Sequence, residues 1–184
     1  MKLEVKRFAE SLRRDFFRVH SKSNQHDFCF CTAWWVPTWE EWEDRKADEN
    51  RLLRERLLNK GEFDGYLLYV DGIPVGWSQV GLQDRLQKLR QQFSLETDGE
   101  TWVITCFFIA PDYVRMGFAS HLLNTIINEL RVRGVKRVLA FPKKTADLDA
   151  ADLWNGPYSM FVEAGFSVLK EARTRTVLVN DLSG

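Results

Sequence analysis

Between Thr101 and Ala110 the chain reads TWVITCFFIA, a run of β-branched and aromatic residues with no charge in it. A strand with one wet face alternates apolar and polar residues, whereas an almost uninterrupted apolar run marks a strand buried on both faces. This run is read as the central strand of a sheet with helices above and below it. The loop PDYVRMG follows, and then FASHLLNTIINELRVRG, where Leu122, Leu123, Ile126, Ile127 and Leu130 recur at helical spacing until Gly134 ends the helix. VKRVLAF reads as a second buried strand. Strand, long helix and strand in succession form a right-handed crossover whose two strands are parallel.

The flanking segments add antiparallel strands. GYLLYVDGIPVGWSQVG places two apolar runs around Asp71-Gly72, a dipeptide that supplies the positive φ of a tight hairpin turn. FSVLKE and RTRTVLV supply two last strands, after a helix in LWNGPYSMFVEAG that ends at Gly165, and LQDRLQKLRQQF is helical in spacing. Towards the N-terminus, Val5, Phe8, Leu12 and Phe16 set the apolar stripe of an amphipathic helix ending near His20. In DFCFC, Phe28 and Phe30 alternate with Cys29 and Cys31, which predicts a short strand closed off by Pro37. Thr38 and Glu41 form a capping-box pattern that opens one or two helices reaching about Lys60. The expected fold is α/β, α+β in some schemes: a mixed, mostly antiparallel central sheet of about six to seven strands flanked by helices. It forms one domain over residues 1–184, with N-terminal helices and a first strand over 1–60 and the core over 65–180.

Several function classes are excluded by composition. Acidic and basic residues balance at 26 each, so no long-range positive field draws the chain to nucleic acid. No run approaches the roughly 20 apolar residues of a membrane span, and the N-terminal segment has no uninterrupted apolar core of a leader. Three cysteines, Cys29, Cys31 and Cys106, are an odd number and too few to staple the domain, which points to a reducing, cytoplasmic setting.

The informative stretch is FFIAPDYVRMGFASHLL, where a buried strand enters a helix at Gly117-Phe118-Ala119. Glycine lets backbone approach a bulky anion, a small residue two places on lets the helix start crowd it, and the first-turn N–H groups point outward. With the helix dipole these groups suit a diphosphate. The run resembles motif A of the GNAT acyltransferases, through Ile109, Pro111, Gly117, Ala119, Leu122 and Leu123. The usual Arg or Gln position is Val114, with the cation displaced to Arg115, so the phosphate contacts implied are mostly main-chain. The resemblance extends over about Gly65 to Val179 and implies acetyl-CoA as cosubstrate, with no metal. It places cofactor contacts at Phe107, Phe108, Ile109, Val114, Arg115, Met116, Gly117, Phe118, Ala119, Ser120 and Asn155. It also implies that the central strand splays from its parallel neighbour and pairs with the pantetheine arm in the gap.

The activity implied is acetyl transfer to a primary amine by direct attack in a ternary complex. In the family a tyrosine on the helix before AGF protonates the departing thiolate, and Phe161 occupies that position here. Tyr158 lies three residues earlier near the same helical face and is the candidate acid. Solvent can also protonate a thiolate, whose usual pKa is about 8.5. The residues leave open an acyl-CoA-binding sensor or interaction module as the alternative, and identify no general base. Trp34, Trp35 and Trp77, from a dense aromatic set, are candidates for the acceptor wall. His20, His26, Cys29 and Cys31 lie close together, but two thiols one residue apart fit no common zinc spacing. The acceptor, a small amine or a peptide, and homodimer formation are not fixed by the sequence.

Overall fold

The structure, a computed structural model, describes residues 1–21, 28–144, 153–173 and 175–183. Seven strands form one sheet: β1 Leu3–Arg7, β2 Gly65–Val70, β3 Ile73–Leu82, β4 Trp102–Ile109, β5 Arg137–Ala140, β6 Ser167–Glu171 and β7 Thr176–Asp181. Their order is β1-β2-β3-β4-β5-β7-β6. The β4–β5 pair is parallel and the other neighbours are antiparallel. The uncharged run is β4, at the centre of the sheet. Asp71 and Gly72, both with positive φ, turn the β2–β3 hairpin as this dipeptide predicts.

Helix α5, Phe118–Val132, crosses from β4 to β5 and buries Phe118, Leu122, Leu123, Ile126, Ile127 and Leu130. They pack with Tyr66, Leu68, Ile104 and Phe107 on one sheet face. At ~1.5–3 kcal/mol for each large apolar side chain, the burial holds α5 in place with on the order of 10 kcal/mol. The other face is covered by α1 Arg13–His20, α3 Ala47–Asn59 and α4 Gln87–Phe93. There Phe16, Val19, Leu57 and Leu58 pack on Leu67, Trp77 and Cys106, while Leu89 and Phe93 pack on Val103 and Leu139. Two helices follow Pro37, as the capping signals allow. α2, Trp39–Asp44, starts where Thr38 Oγ1 accepts the Glu41 N–H at 3.1 Å, and α3 starts where Glu49 accepts the Lys46 N–H at 2.7 Å.

The N-terminal stripe is not one helix. Val5 lies in β1 opposite Leu68, and α1 begins only at Arg13. Leu3 and Val5 pack on the α5 side of the sheet, whereas Phe8 and Phe16 pack on the other side. A single helical stripe feeds one face, so the chain crosses the sheet edge between Arg7 and Arg13 instead.

Residues 28–31 also depart from the predicted strand. Phe30 and Cys31 are left-handed, at φ 42° and 52°, a conformation costly for side-chain-bearing residues. Arg54 from α3 holds them there, donating Nε to Phe30 O at 2.7 Å and Nη2 to Cys31 O at 2.6 Å. Its guanidinium is wholly buried against the Phe63 ring, 3.2 Å from the centroid, and burial pushes its pKa down to about 9. The helix expected in LWNGPYSMFVEAG is broken as well. Leu153–Asn155 form a 3-10 turn, Gly156 is left-handed, and α6 spans Tyr158–Glu163. A Cβ on Gly156 would come within 2.9 Å of both Met160 and Phe161, so the break leaves room for α6 to close on the strand. No helix of the described residues is long and apolar enough to cross a membrane.

Candidate active site

β4 and β5 pair only over Trp102, Val103 and Ile104, opposite Val138, Leu139 and Ala140. Past Ala140 the chain leans towards β7: Phe141 packs on Phe93 with centroids 4.7 Å apart, and Pro142 O accepts the Thr176 N–H at 3.0 Å. At the same level β4 carries a bulge. Gln79 faces Cys106 and Val80 faces Ile104, which leaves Thr105 as the extra residue and bends the strand. The two strands therefore part after Ile104, and on the β5 side Thr105 to Ile109 border a gap that no strand of the described residues fills. Ala110 N–H bonds to Val75 O at 2.7 Å on the β3 side. By alternation Phe108 N–H points the same way, while the Phe107 and Ile109 N–H groups point into the gap.

Side chains from the last third of the chain line this gap. Asn155, wholly buried, donates Nδ2 to Thr105 O at 2.8 Å, while its Oδ1 is buried without a hydrogen-bond partner among the described residues. Phe161 is wholly buried and meets Phe107 edge to face at 5.8 Å. It has no proton to give and fixes the distance between α6 and β4. Tyr158, one turn earlier and half-buried, has the ammonium of Lys144 5.5 Å from its ring centre. Lys144 follows the carboxyl end of β5, where the gap is open. Asn155→Ala should lower stability by ~1–3 kcal/mol, because Thr105 O would be left buried and unpaired. Urea unfolding measures this, and an unchanged midpoint would show that the turn is not anchored through the amide.

The helix after β4 begins at the mouth of the gap. Gly117 is its N-cap residue, left-handed at φ 77°, and the space where a Cβ would stand is empty. His121 N–H makes the first helical bond, to Gly117 O at 3.0 Å, so the N–H groups of Phe118, Ala119 and Ser120 have no partner within the helix. The first turn contains no acidic residue. Phe118 is buried and pins the turn, whereas Val114 and Met116 are half-exposed and Arg115 is exposed with positive φ. Outward N–H groups and the positive end of a helix dipole are an arrangement that suits an anion without requiring a side-chain cation.

The tryptophans are distributed differently from an open pocket wall. Trp77 is wholly buried, stacked on Phe63 at 5.2 Å, and Trp34 is buried between Trp39, Phe93 and Trp154. Neither indole face is free for an acceptor in this arrangement; Trp35 is partly exposed. His20 Nε2 lies 3.3 Å from Cys31 Sγ, which lies 3.2 Å from Cys106 Sγ. His26 falls outside the described residues. Among those described, no three His, Cys, Asp or Glu residues are placed to hold a metal. Two residues central to this geometry carry little sequence signal. Thr105 looks like any other residue of its strand, and Arg54 shows only a helical spacing to Leu57 and Leu58.

A mixed sheet whose one parallel pair parts in mid-strand, with a helix starting at the gap's mouth, is the acyl-CoA N-acyltransferase fold. Residues 9–155 match the model of the family described as acetyltransferase (GNAT) family. The chain belongs to the GNAT family and is an acyltransferase by class. No curated protein matches it. Among solved structures, a GNAT-family protein from Desulfovibrio desulfuricans is 16% identical at a TM-score of 0.63, covering 99% of this chain and 100% of that one. The ribosomal-protein-S18-alanine N-acetyltransferase of Escherichia coli is 13% identical at 0.59, covering 100% and 96%. The PaiA N-acetyltransferase of Thermoplasma acidophilum, in complex with coenzyme A, is 12% identical at 0.58, covering 98% and 99%.

Proposed function

We propose that the protein transfers an acetyl group from acetyl-CoA to a primary amine by direct attack in a ternary complex. The observation that carries this reading is the parting of β4 from β5, which leaves the Phe107 and Ile109 N–H groups without a strand partner among the described residues, beside the helix start at Gly117. The diphosphate would sit on the N–H groups of Phe118, Ala119 and Ser120. The pantetheine arm would then run along Phe107 to Ile109 as a substitute strand, pairing the Phe107 and Ile109 N–H groups, which have no strand partner among the described residues. A fixed N–H aimed at the thioester oxygen stabilises the charge that develops there. The neutral amine attacks the carbonyl carbon, the carbon–sulfur bond breaks, and the amine's extra proton leaves to solvent. Sulfur takes its proton from Tyr158 or from water. Trp35 is the tryptophan that remains for the acceptor wall, and the free thiols suit a reducing, cytoplasmic setting.

Release of coenzyme A thiol from acetyl-CoA, followed across small amines, peptide N-termini and lysine peptides, tests the activity. Tight coenzyme A binding with no release for any acceptor would establish the other reading, a binding module, which Phe161 at the usual acid position favours. Tyr158→Phe is expected to lower kcat about a hundredfold or more, the usual range for loss of a general acid, without weakening coenzyme A binding. An unchanged kcat would assign the protonation of sulfur to water.

A further inference from the structure

Helix α4, inserted between β3 and β4, carries Lys88, whose side chain is only 6% exposed. It ends between two indoles: Nζ is 3.8 Å from the centre of the Trp39 ring and 6.0 Å from that of Trp34. Trp34 and Trp39 meet edge to face at 5.2 Å and hold this slot open. The ammonium's hydrogen-bond acceptor is neutral, Thr38 O at 3.4 Å. Among the described residues no carboxylate comes within ion-pair distance of it. Beside the slot opens a groove of about 640 Å³, bounded by Thr38, Trp39, Lys88, Gln92, Phe93 and Arg173.

A lysine in this position differs chemically from those on the surface. Burial pushes its pKa down to about 8, against the pull of Glu41 on α2, which favours the charged form; the nearby Cys29 thiol, its pKa raised by its hydrogen bond to Cys31 and by burial, stays neutral. Glu40 and Arg173 face the same groove from α2 and from the turn after β6. Only an unprotonated amine attacks an acyl carbon, and each unit by which the pKa falls raises the neutral fraction about tenfold near neutral pH. The groove gives an acyl donor room to reach the amine.

We propose that Lys88 is an acylation site of the protein itself, taking acyl groups from thioesters in preference to the chain's other lysines. The Nζ lone pair forms the new bond to the carbonyl carbon, the carbon–sulfur bond breaks with release of thiolate, and the surplus proton on nitrogen passes to solvent. The product is a neutral amide, which removes the ammonium from the Trp39 face. The proposal rests on the function proposed above only for its natural donor, acetyl-CoA; the selectivity of the amine does not depend on it.

The test uses the full chain and a thioester without a nucleotide, N,S-diacetylcysteamine, at limiting concentration and pH about 7.5. Peptide mass mapping reads the acetyl added to each lysine. Lys88 should react about tenfold or more faster than exposed Lys60 and Lys136, a gain smaller than the rise in neutral amine because a weaker base is a poorer nucleophile. Its rate should level off near pH 8, and the preference should vanish in denaturant. Labelling of Lys88 no faster than Lys60 and Lys136, or a preference that survives unfolding, would overturn the proposal. Because this donor needs no coenzyme A site, selective labelling alongside absent coenzyme A binding would sink the acetyl-CoA reading and leave the lysine site standing.

Discussion

Replacing Gly117 with aspartate should weaken coenzyme A binding by about two orders of magnitude or more while leaving the fold intact. The left-handed backbone at this position admits Asp at modest cost, and the space a Cβ would enter is empty. A carboxylate there sets a negative charge beside the N–H groups of Phe118, Ala119 and Ser120, where the diphosphate is proposed to sit. Repulsion of about 4 kcal/mol, for unit charges about 4 Å apart at an effective dielectric constant of about 20, gives the stated factor. Calorimetry with coenzyme A and thermal unfolding of the same variant check both halves. Wild-type affinity in a folded Gly117→Asp chain would remove the helix start from the binding site.

Lowering the pH from about 7 to about 4.5 should cost about 3 kcal/mol of stability through a single imidazole. His20 is buried on α1, with its ring 4.0 Å from that of Phe16, Nδ1 bonded to Phe16 O at 2.8 Å, and Nε2 against the Cys31 thiol. Burial, reinforced by the positive charge of Arg54, pushes its pKa down to about 3. The unfolded chain protonates this ring near 6.5, so between these values the unfolded state binds the extra proton. The contribution is therefore complete above about 6.5 and is lost progressively as pH falls towards about 3, at ~1.4 kcal/mol per unit. His20→Asn keeps an N–H for Phe16 O and does not titrate. Urea midpoints across this pH range should fall less steeply in the variant, and identical slopes would locate the acid sensitivity elsewhere.

The segments legible from sequence are those decided by their own residues. β4 is announced by its uncharged run, α5 by leucines and isoleucines three and four apart, and the hairpin by Asp71-Gly72. The N-terminus misleads because Val5 and Phe8 belong to opposite faces of the sheet, and a periodicity count cannot tell one stripe from two. DFCFC alternates like a strand, yet the carbonyls of Phe30 and Cys31 are claimed by Arg54. The divergence of β4 from β5 is implied by the GNAT resemblance and by no local pattern, since it depends on Pro142 turning to β7 and on the Thr105 bulge. A count of tryptophans does not separate pocket wall from interior either. Trp77 is interior because it lies over Gly65, where a Cβ would come 2.3 Å from its ring.

The guanidinium grip on Phe30 and Cys31 has an engineering consequence. The shape of the segment from Phe28 to Val36 is stored in α3, more than twenty positions downstream, and not in the segment's own letters. Anyone grafting that stretch onto a sibling scaffold must carry α3 with it, since the donor loop transplanted alone would relax into another path.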